Sequence, residues 1–130
     1  MFNVNIVALP IGDPAGNEAI YAFQAPLDAV GGGIQIVAFS GVNGATTSGG
    51  TSFTGQLLKY SNADLPLLNG TLSDILGGST ADWVDATPKV GVIANGGWVD
   101  AGEWVVFNYV EETSGNPTNF VANIHYVMGR

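Results

Sequence analysis

The sequence predicts an all-β fold: a single-domain antiparallel β-sandwich over residues 1–130, jelly-roll-like, with about eight strands. Three observations predict it. Apolar and polar residues alternate with period two in several short segments, as half-buried strands require. Clusters of Gly, Pro and Asn separate those segments at short intervals. Helix-period patterning is almost absent. A chain of 130 residues makes one domain with a real core and needs no disulfide or metal to hold it.

The first strand runs from Phe2 to Val7, with Phe2, Val4 and Ile6 on one face and Asn3 and Asn5 on the other. Pro10 ends it, and residues 10–17 have loop chemistry throughout. A second strand covers Ala19 to Gln24 and stops at Pro26. A third covers Ile34 to Phe39, after the hinge-like Gly31-Gly32-Gly33. Residues 41–52 read as an exposed loop, because their Gly, Ser and Thr bury little. A fourth strand spans Phe53 to Tyr60. Thr71 to Leu76 fits one helical turn or a short strand, ended by Gly77-Gly78. Trp83-Val84 and Val90 to Ile93 are short strands around Pro88. Asn95-Gly96-Gly97 is a turn, Trp98-Val99 is extended, and Asp100-Ala101-Gly102 turns the chain again. Glu103–Glu111 and Asn119–Met128 are the last two strands, joined as a hairpin by residues 113–118. Trp83-Val84-Asp85-Ala86 recurs as Trp98-Val99-Asp100-Ala101, which is too short for a structural repeat but places both Asp residues at strand ends.

Composition narrows the function. Three residues are Lys or Arg, eleven are Asp or Glu, one is His and none is Cys, for a formal net charge of −8. Charged residues make up 11% of the chain, against about 25% in ordinary domains. A phosphate backbone or an anionic membrane requires clustered cations, and Lys59, Lys89 and Arg130 are too few and too dispersed. Nucleic-acid and membrane partners are therefore not expected. No apolar run approaches the length of a membrane span. The opening residues lack the order of a signal peptide, so synthesis in a cytosol is expected, with the chain left there or released by lysis. With so little charge to coat a surface, part of that surface is expected to be buried against another copy or a partner.

The residues that carry chemistry are sparse. His125 has no second His or any Cys for a zinc site, and it sits on the polar or interface face of the last strand. Asp64, Asp74, Asp82, Asp85, Asp100, Glu103, Glu111 and Glu112 flank turns without a calcium-loop pattern, and they read as solvated acids. The Gly pairs and triplet neither follow a strand into a helix nor precede Lys-Ser/Thr, which excludes a phosphate loop. No catalytic residue, cofactor or metal ligand is assigned, and the chain is not expected to be an enzyme. Trp83, Trp98 and Trp104, with Tyr21, Tyr60, Tyr109 and Tyr126, offer either a sugar platform or core and subunit packing. Packing is the better account. The Trp104 strand is apolar on both faces: Trp104, Val106 and Val110 on one, Val105, Phe107 and Tyr109 on the other. Such a strand is covered twice, and the second cover is expected to be another subunit.

The C-terminal third carries a resemblance. Val90-Gly91-Val92-Ile93, then Gly97 to Val110 with its Ala101-Gly102-Glu103 turn opening a long apolar strand, then Phe120 to Met128 with Tyr126-Val127, resembles small β-sandwich structural proteins of tailed bacteriophages, particularly capsid decoration (cement) proteins. Tail and head-fibre domains share the pattern. The resemblance implies a virion protein on the capsid surface. It would bind the major capsid protein, often as a homotrimer, over the joints of an expanded head and stabilise it against internal DNA pressure. Phe2, Val4, Trp98, Trp104, Phe107, Tyr109 and His125 are the residues expected at a subunit or capsid interface. The alternative is a carbohydrate-binding or receptor-binding module of phage-fibre type that uses surface Trp and Tyr.

Overall fold

The computed structural model describes residues 3–12, 14, 16–27, 33–47, 53–61, 68–78, 82–111 and 117–129. Ten strands appear among them: β1 (Asn5–Ile11), β2 (Glu18–Gln24), β3 (Ile34–Val42), β4 (Phe53–Tyr60), β5 (Leu68–Thr71), β6 (Leu76–Gly77), β7 (Lys89–Gly91), β8 (Trp98–Val99), β9 (Trp104–Glu111) and β10 (Phe120–Met128). They form two antiparallel sheets. The first has the order β1-β10-β3-β7, with β8 further along β3. The second has the order β2-β9-β4-β5, with β6 further along β4.

Two of the strands are split. β5 and β6 lie along successive stretches of β4, and β7 and β8 along successive stretches of β3. With each pair taken as one strand, eight strands remain, and the first pairs with the last, the second with the seventh, the third with the sixth and the fourth with the fifth. The chain is one long antiparallel ribbon rolled into a sandwich, which is the jelly roll. The break between β5 and β6 is spanned by a side chain. Leu57 N–H donates to Ser73 Oγ at 2.9 Å, and Leu72 N–H donates to the Leu57 carbonyl at 2.8 Å.

The inward faces make one core. Phe39 and Phe107 meet edge to face across the sheets, Phe23 stacks on Tyr126, and Phe53 meets Phe120. Glycines make room for the rings. A Cβ at Gly55 would fall 2.3 Å from Phe107, and one at Gly41 would fall 2.6 Å from Phe120.

Several expectations require correction. β1 extends through Pro10 to Ile11, because an edge strand tolerates a residue without an N–H. Its inward residues are Val7, Leu9 and Ile11, so Val4 and Ile6 point outward, opposite to the expected face. Residues 43–47 are not a free loop. Asn43 is buried, accepts from Thr118 N–H at 2.8 Å and donates to the Ala45 carbonyl. Residues 48–52 lie outside the described residues. Of the two readings of Thr71 to Leu76, no helical turn forms: Thr71 ends β5, Leu76 begins β6, and Ser73 makes an isolated bridge to Ile93 between them. Trp83-Val84 forms no regular strand; the Trp83 carbonyl instead accepts from Thr47 N–H, and Trp83 N–H donates to Thr47 Oγ1. The expected hairpin between β9 and β10 does not exist, since β9 pairs with β2 and β4 while β10 pairs with β1 and β3. Finally, the two Trp-Val-Asp-Ala segments differ in burial. Trp83 is buried with Val84 exposed, whereas Val99 is buried beside a half-buried Trp98.

Candidate interaction surface

The two sheets treat their outer faces differently. On the second sheet, Trp104, Val106, Asn108 and Val110 of β9 point outward. Val106 is nonetheless fully buried within one chain, and Leu58 opposite it nearly so. The cover comes from neighbouring rings. Tyr21 pairs in register with Val106 and meets both Trp104 (5.5 Å between centroids) and Tyr60 (5.8 Å). The doubly apolar strand is thus shielded by its own chain at Val106, and no subunit is needed there. The Tyr21 ring stands at 83–84° to the other two, so the three rings do not share a plane.

The first sheet leaves its outer face bare. Alternation with the core residues puts Val4, Ile6, Ala8 and Pro10 outward on the β1 side. Val121, Asn123, His125 and Val127 point outward on β10. On β3 the outward residues are Gln35, Ala38, Ser40 and Val42, with Val37 extruded where the β3–β10 register shifts. Val90 and Val92 complete the face at β7. Val4, Ile6, Val37, Val90 and Val92 are between 42% and 74% exposed. No Asp, Glu, Lys or Arg occupies an outward position on these strands among the described residues; Lys89 pairs with Gly41 on the inward side and lies over the Trp83 ring. Three strands align Ile6, His125 and Ala38 in one row, and four align Ala8, Asn123, Ser40 and Val90 in the next.

The sides of the sandwich are also unequal. Along one side the split strands are stitched together. Asp74 N–H donates to the Val92 carbonyl, Val92 N–H to Asp74 Oδ1, Ala94 N–H to the Leu72 carbonyl, and Asn95 Nδ2 to the Thr71 carbonyl. Along the other side, β1 pairs only with β10 and β2 only with β9 among the described residues, so both keep an unused backbone edge. Beside that edge, a 430 Å³ depression is lined by Pro10, Ile11, Gly12, Pro117 and Phe120, and a second of 320 Å³ continues past Pro14 to Ile20.

The expected interface residues divide among these places. Val4 and His125 lie on the bare face, Trp104 lies in the ring cluster of the other sheet, and Trp98 is half-buried opposite Gln35. Phe107 and Tyr109 are fully buried in the core, which removes them from any contact surface. Phe2 lies outside the described residues. Ile6, Val37, Val90 and Val92 belong to the bare face and were not singled out in the sequence. The signal was present in the alternation of Val90 and Val92 with Gly91 and Ile93.

The acids are scattered. Asp74 ties the stitched side, and Asp82 Oδ1 is buried without a hydrogen-bond partner among the described residues. Glu103 is buried rather than solvated. Its Oε1 accepts from Asp100 N–H at 2.7 Å and faces Lys59 Nζ at 3.7 Å, while its Oε2 accepts from Asn69 Nδ2. Asp64 and Glu112 lie outside the described residues. Among the described residues, no three His, Asp or Glu side chains group closely enough to hold a metal ion. Comparison with protein-family models, with curated proteins and with solved structures finds no match.

Proposed function

We propose that this protein is a non-catalytic virion component, a capsid decoration protein that seats on the outer surface of an expanded phage head and stabilises it. The observation that carries this is the unused edge of β1, flanked by the apolar depression at Pro10–Gly12 and by a sheet face without charged groups. Sandwich proteins normally shield such edges with charge or cover. Among the described residues Pro10 is the one guard on this edge. An extended arm of the major capsid protein adding to β1 would take its main-chain hydrogen bonds from the strand and seat a side chain in the depression. The jelly roll itself recurs in capsid domains and in lectins, so the fold does not choose between them. The ring geometry favours assembly over sugar binding, because a sugar platform needs ring faces laid flat and Tyr21 stands edge-on to Trp104 and Tyr60.

The test is co-sedimentation with expanded, DNA-free heads of the phage that encodes the chain, stripped of surface proteins. The chain is expected to pellet with them and to raise the temperature at which they break. Folded chain that remains in the supernatant while the heads pellet overturns the assignment.

A further inference from the structure

We propose that the bare outer face of the β1-β10-β3-β7 sheet is the contact between two copies of this chain, stacked sheet on sheet. This stands apart from capsid binding and needs no capsid to test.

The chain provides its own comparison. On the outer face of the second sheet it covers Val106 and Leu58 beside Tyr21, Tyr60 and Trp104 and leaves Leu68 and Tyr21 exposed, whereas on the first it leaves Val4, Ile6, Val37, Val90 and Val92 all in water. Those five residues are between 42% and 74% exposed, and contiguous apolar patches beyond a few hundred Å² are uncommon on monomers. A stable contact needs about 800 Å² from each partner. The uncharged positions between them, Ala38 and Ser40 on β3 and Asn123 and His125 on β10, extend the patch toward that area.

Charge identifies the occupant. Each copy carries a net charge of −8, so two copies repel wherever their carboxylates approach. The outward positions of this sheet hold none of the described carboxylates. Two copies meeting through this face bury apolar surface, and of the described carboxylates only Asp74 lies at its margin, beside Val92. The face is a pleated surface up to four strands wide, interrupted by the bulge at Val37, and packed sheets lie about 10 Å apart. A face that meets itself does so about a two-fold axis and closes at two copies. The homotrimer implied by the phage resemblance would need a different, heterologous contact.

The experiment is light scattering on a size-exclusion column, over a hundredfold range of concentration, at low and high salt. The expected mass is twice the 13.4 kDa of one chain. It should persist in high salt, because no ion pair holds the contact. Val90→Lys and Ile6→Lys each place two like charges in the stacked face. Both positions are already well exposed, so the fold should survive, as far-UV circular dichroism and the melting temperature will show. Each variant is expected to raise the dissociation constant at least tenfold. Val84→Lys, at an exposed position off this sheet, should leave the mass unchanged. A one-chain mass throughout, a trimer, or a dimer indifferent to both charges overturns the proposal.

Discussion

Trp83 is bound to Phe53 twice. Its ring stacks on the Phe53 ring at 5.2 Å and 14°, and its Nε1–H donates to the Phe53 carbonyl at 3.0 Å. Phe120 meets the indole edge to face at 4.9 Å, and Lys89 Nζ lies 5.8 Å from the ring centroid. Trp83 belongs to a segment with no strand ladder, yet it closes the core over β4 and β10. Trp83→Ala is expected to cost about 4 kcal/mol, as for other large aromatic truncations. Trp83→Phe keeps the stacking but leaves the Phe53 carbonyl without this donor, at about 2 kcal/mol. Urea unfolding of both variants checks this. A Trp83→Phe variant as stable as the parent would show that the hydrogen bond contributes nothing.

Gly77 packs against the same indole. Its φ is +83°, and a Cβ there would lie 2.4 Å from Trp83 Nε1 and 2.6 Å from the Phe53 carbonyl oxygen. Gly77→Ala therefore meets both backbone strain and a clash, for about 3 kcal/mol together. Gly12 has open space around it, and Gly12→Ala is expected to change stability by less than about 0.5 kcal/mol. Melting temperatures of the two variants should separate clearly, and a similar drop in both would contradict the packing account.

Local chemistry was legible in the sequence where one parity was apolar and the other polar. In β10 the alternation puts Phe120, Ala122, Ile124, Tyr126 and Met128 on one face opposite His125; the first four line the core, while Met128 at the strand's end is exposed. β1 failed the same test because Ile6-Val7-Ala8-Leu9 is apolar at both parities. Its face is set by pairing with β10, more than a hundred residues away. The false hairpin has the same origin. The turn chemistry of residues 113–118 is real, but which strands pair is decided by the rolling of the whole ribbon. The bare face was legible only in part. Val90 and Val92 alternate visibly, whereas the exposure of Val37 depends on a register shift that no local pattern announces. Buried Glu103 was read as solvated because its partners Lys59 and Asn69 come from other strands.

That buried acid fastens the entry to β9 onto β4 and β5. Lys59 Nζ faces Glu103 and also donates to the Trp98 carbonyl at 3.0 Å, while Glu103 Oε1 holds Asp100 N–H across the turn. Glu103→Ala leaves the nearly buried Lys59 ammonium without its counter-charge and is expected to cost about 3 kcal/mol. Lys59→Met is expected to cost about 2 kcal/mol, since the Asp100 and Asn69 donors remain on the carboxylate. The double variant should cost at least about 1 kcal/mol less than the two together, because the groups share one network. Chemical denaturation of the four proteins measures that coupling, and strict additivity would remove the pair from the account.

Asp74 fastens the closed side of the sandwich and should govern its local opening. Its Oδ1 accepts from Val92 N–H at 2.8 Å, while its own N–H donates to the Val92 carbonyl at 3.0 Å, so one residue ties both backbone groups of Val92. Asp74→Ala removes the side-chain acceptor and leaves the backbone bond in place. The Val92 bond is exposed, so its loss should cost global stability only about 0.5–1 kcal/mol. The larger effect is local: amide exchange at Val92 and Ala94 should accelerate, while exchange at the core amides of β9 and β10 changes only by the global amount. Asp74→Asn retains an oxygen acceptor at the same place and should restore most of the protection. Hydrogen exchange read residue by residue distinguishes these outcomes. Unchanged exchange at Val92 in Asp74→Ala would mean that the neighbouring bonds from Ala94 to Leu72 and from Asn95 to Thr71 hold this side closed without the carboxylate.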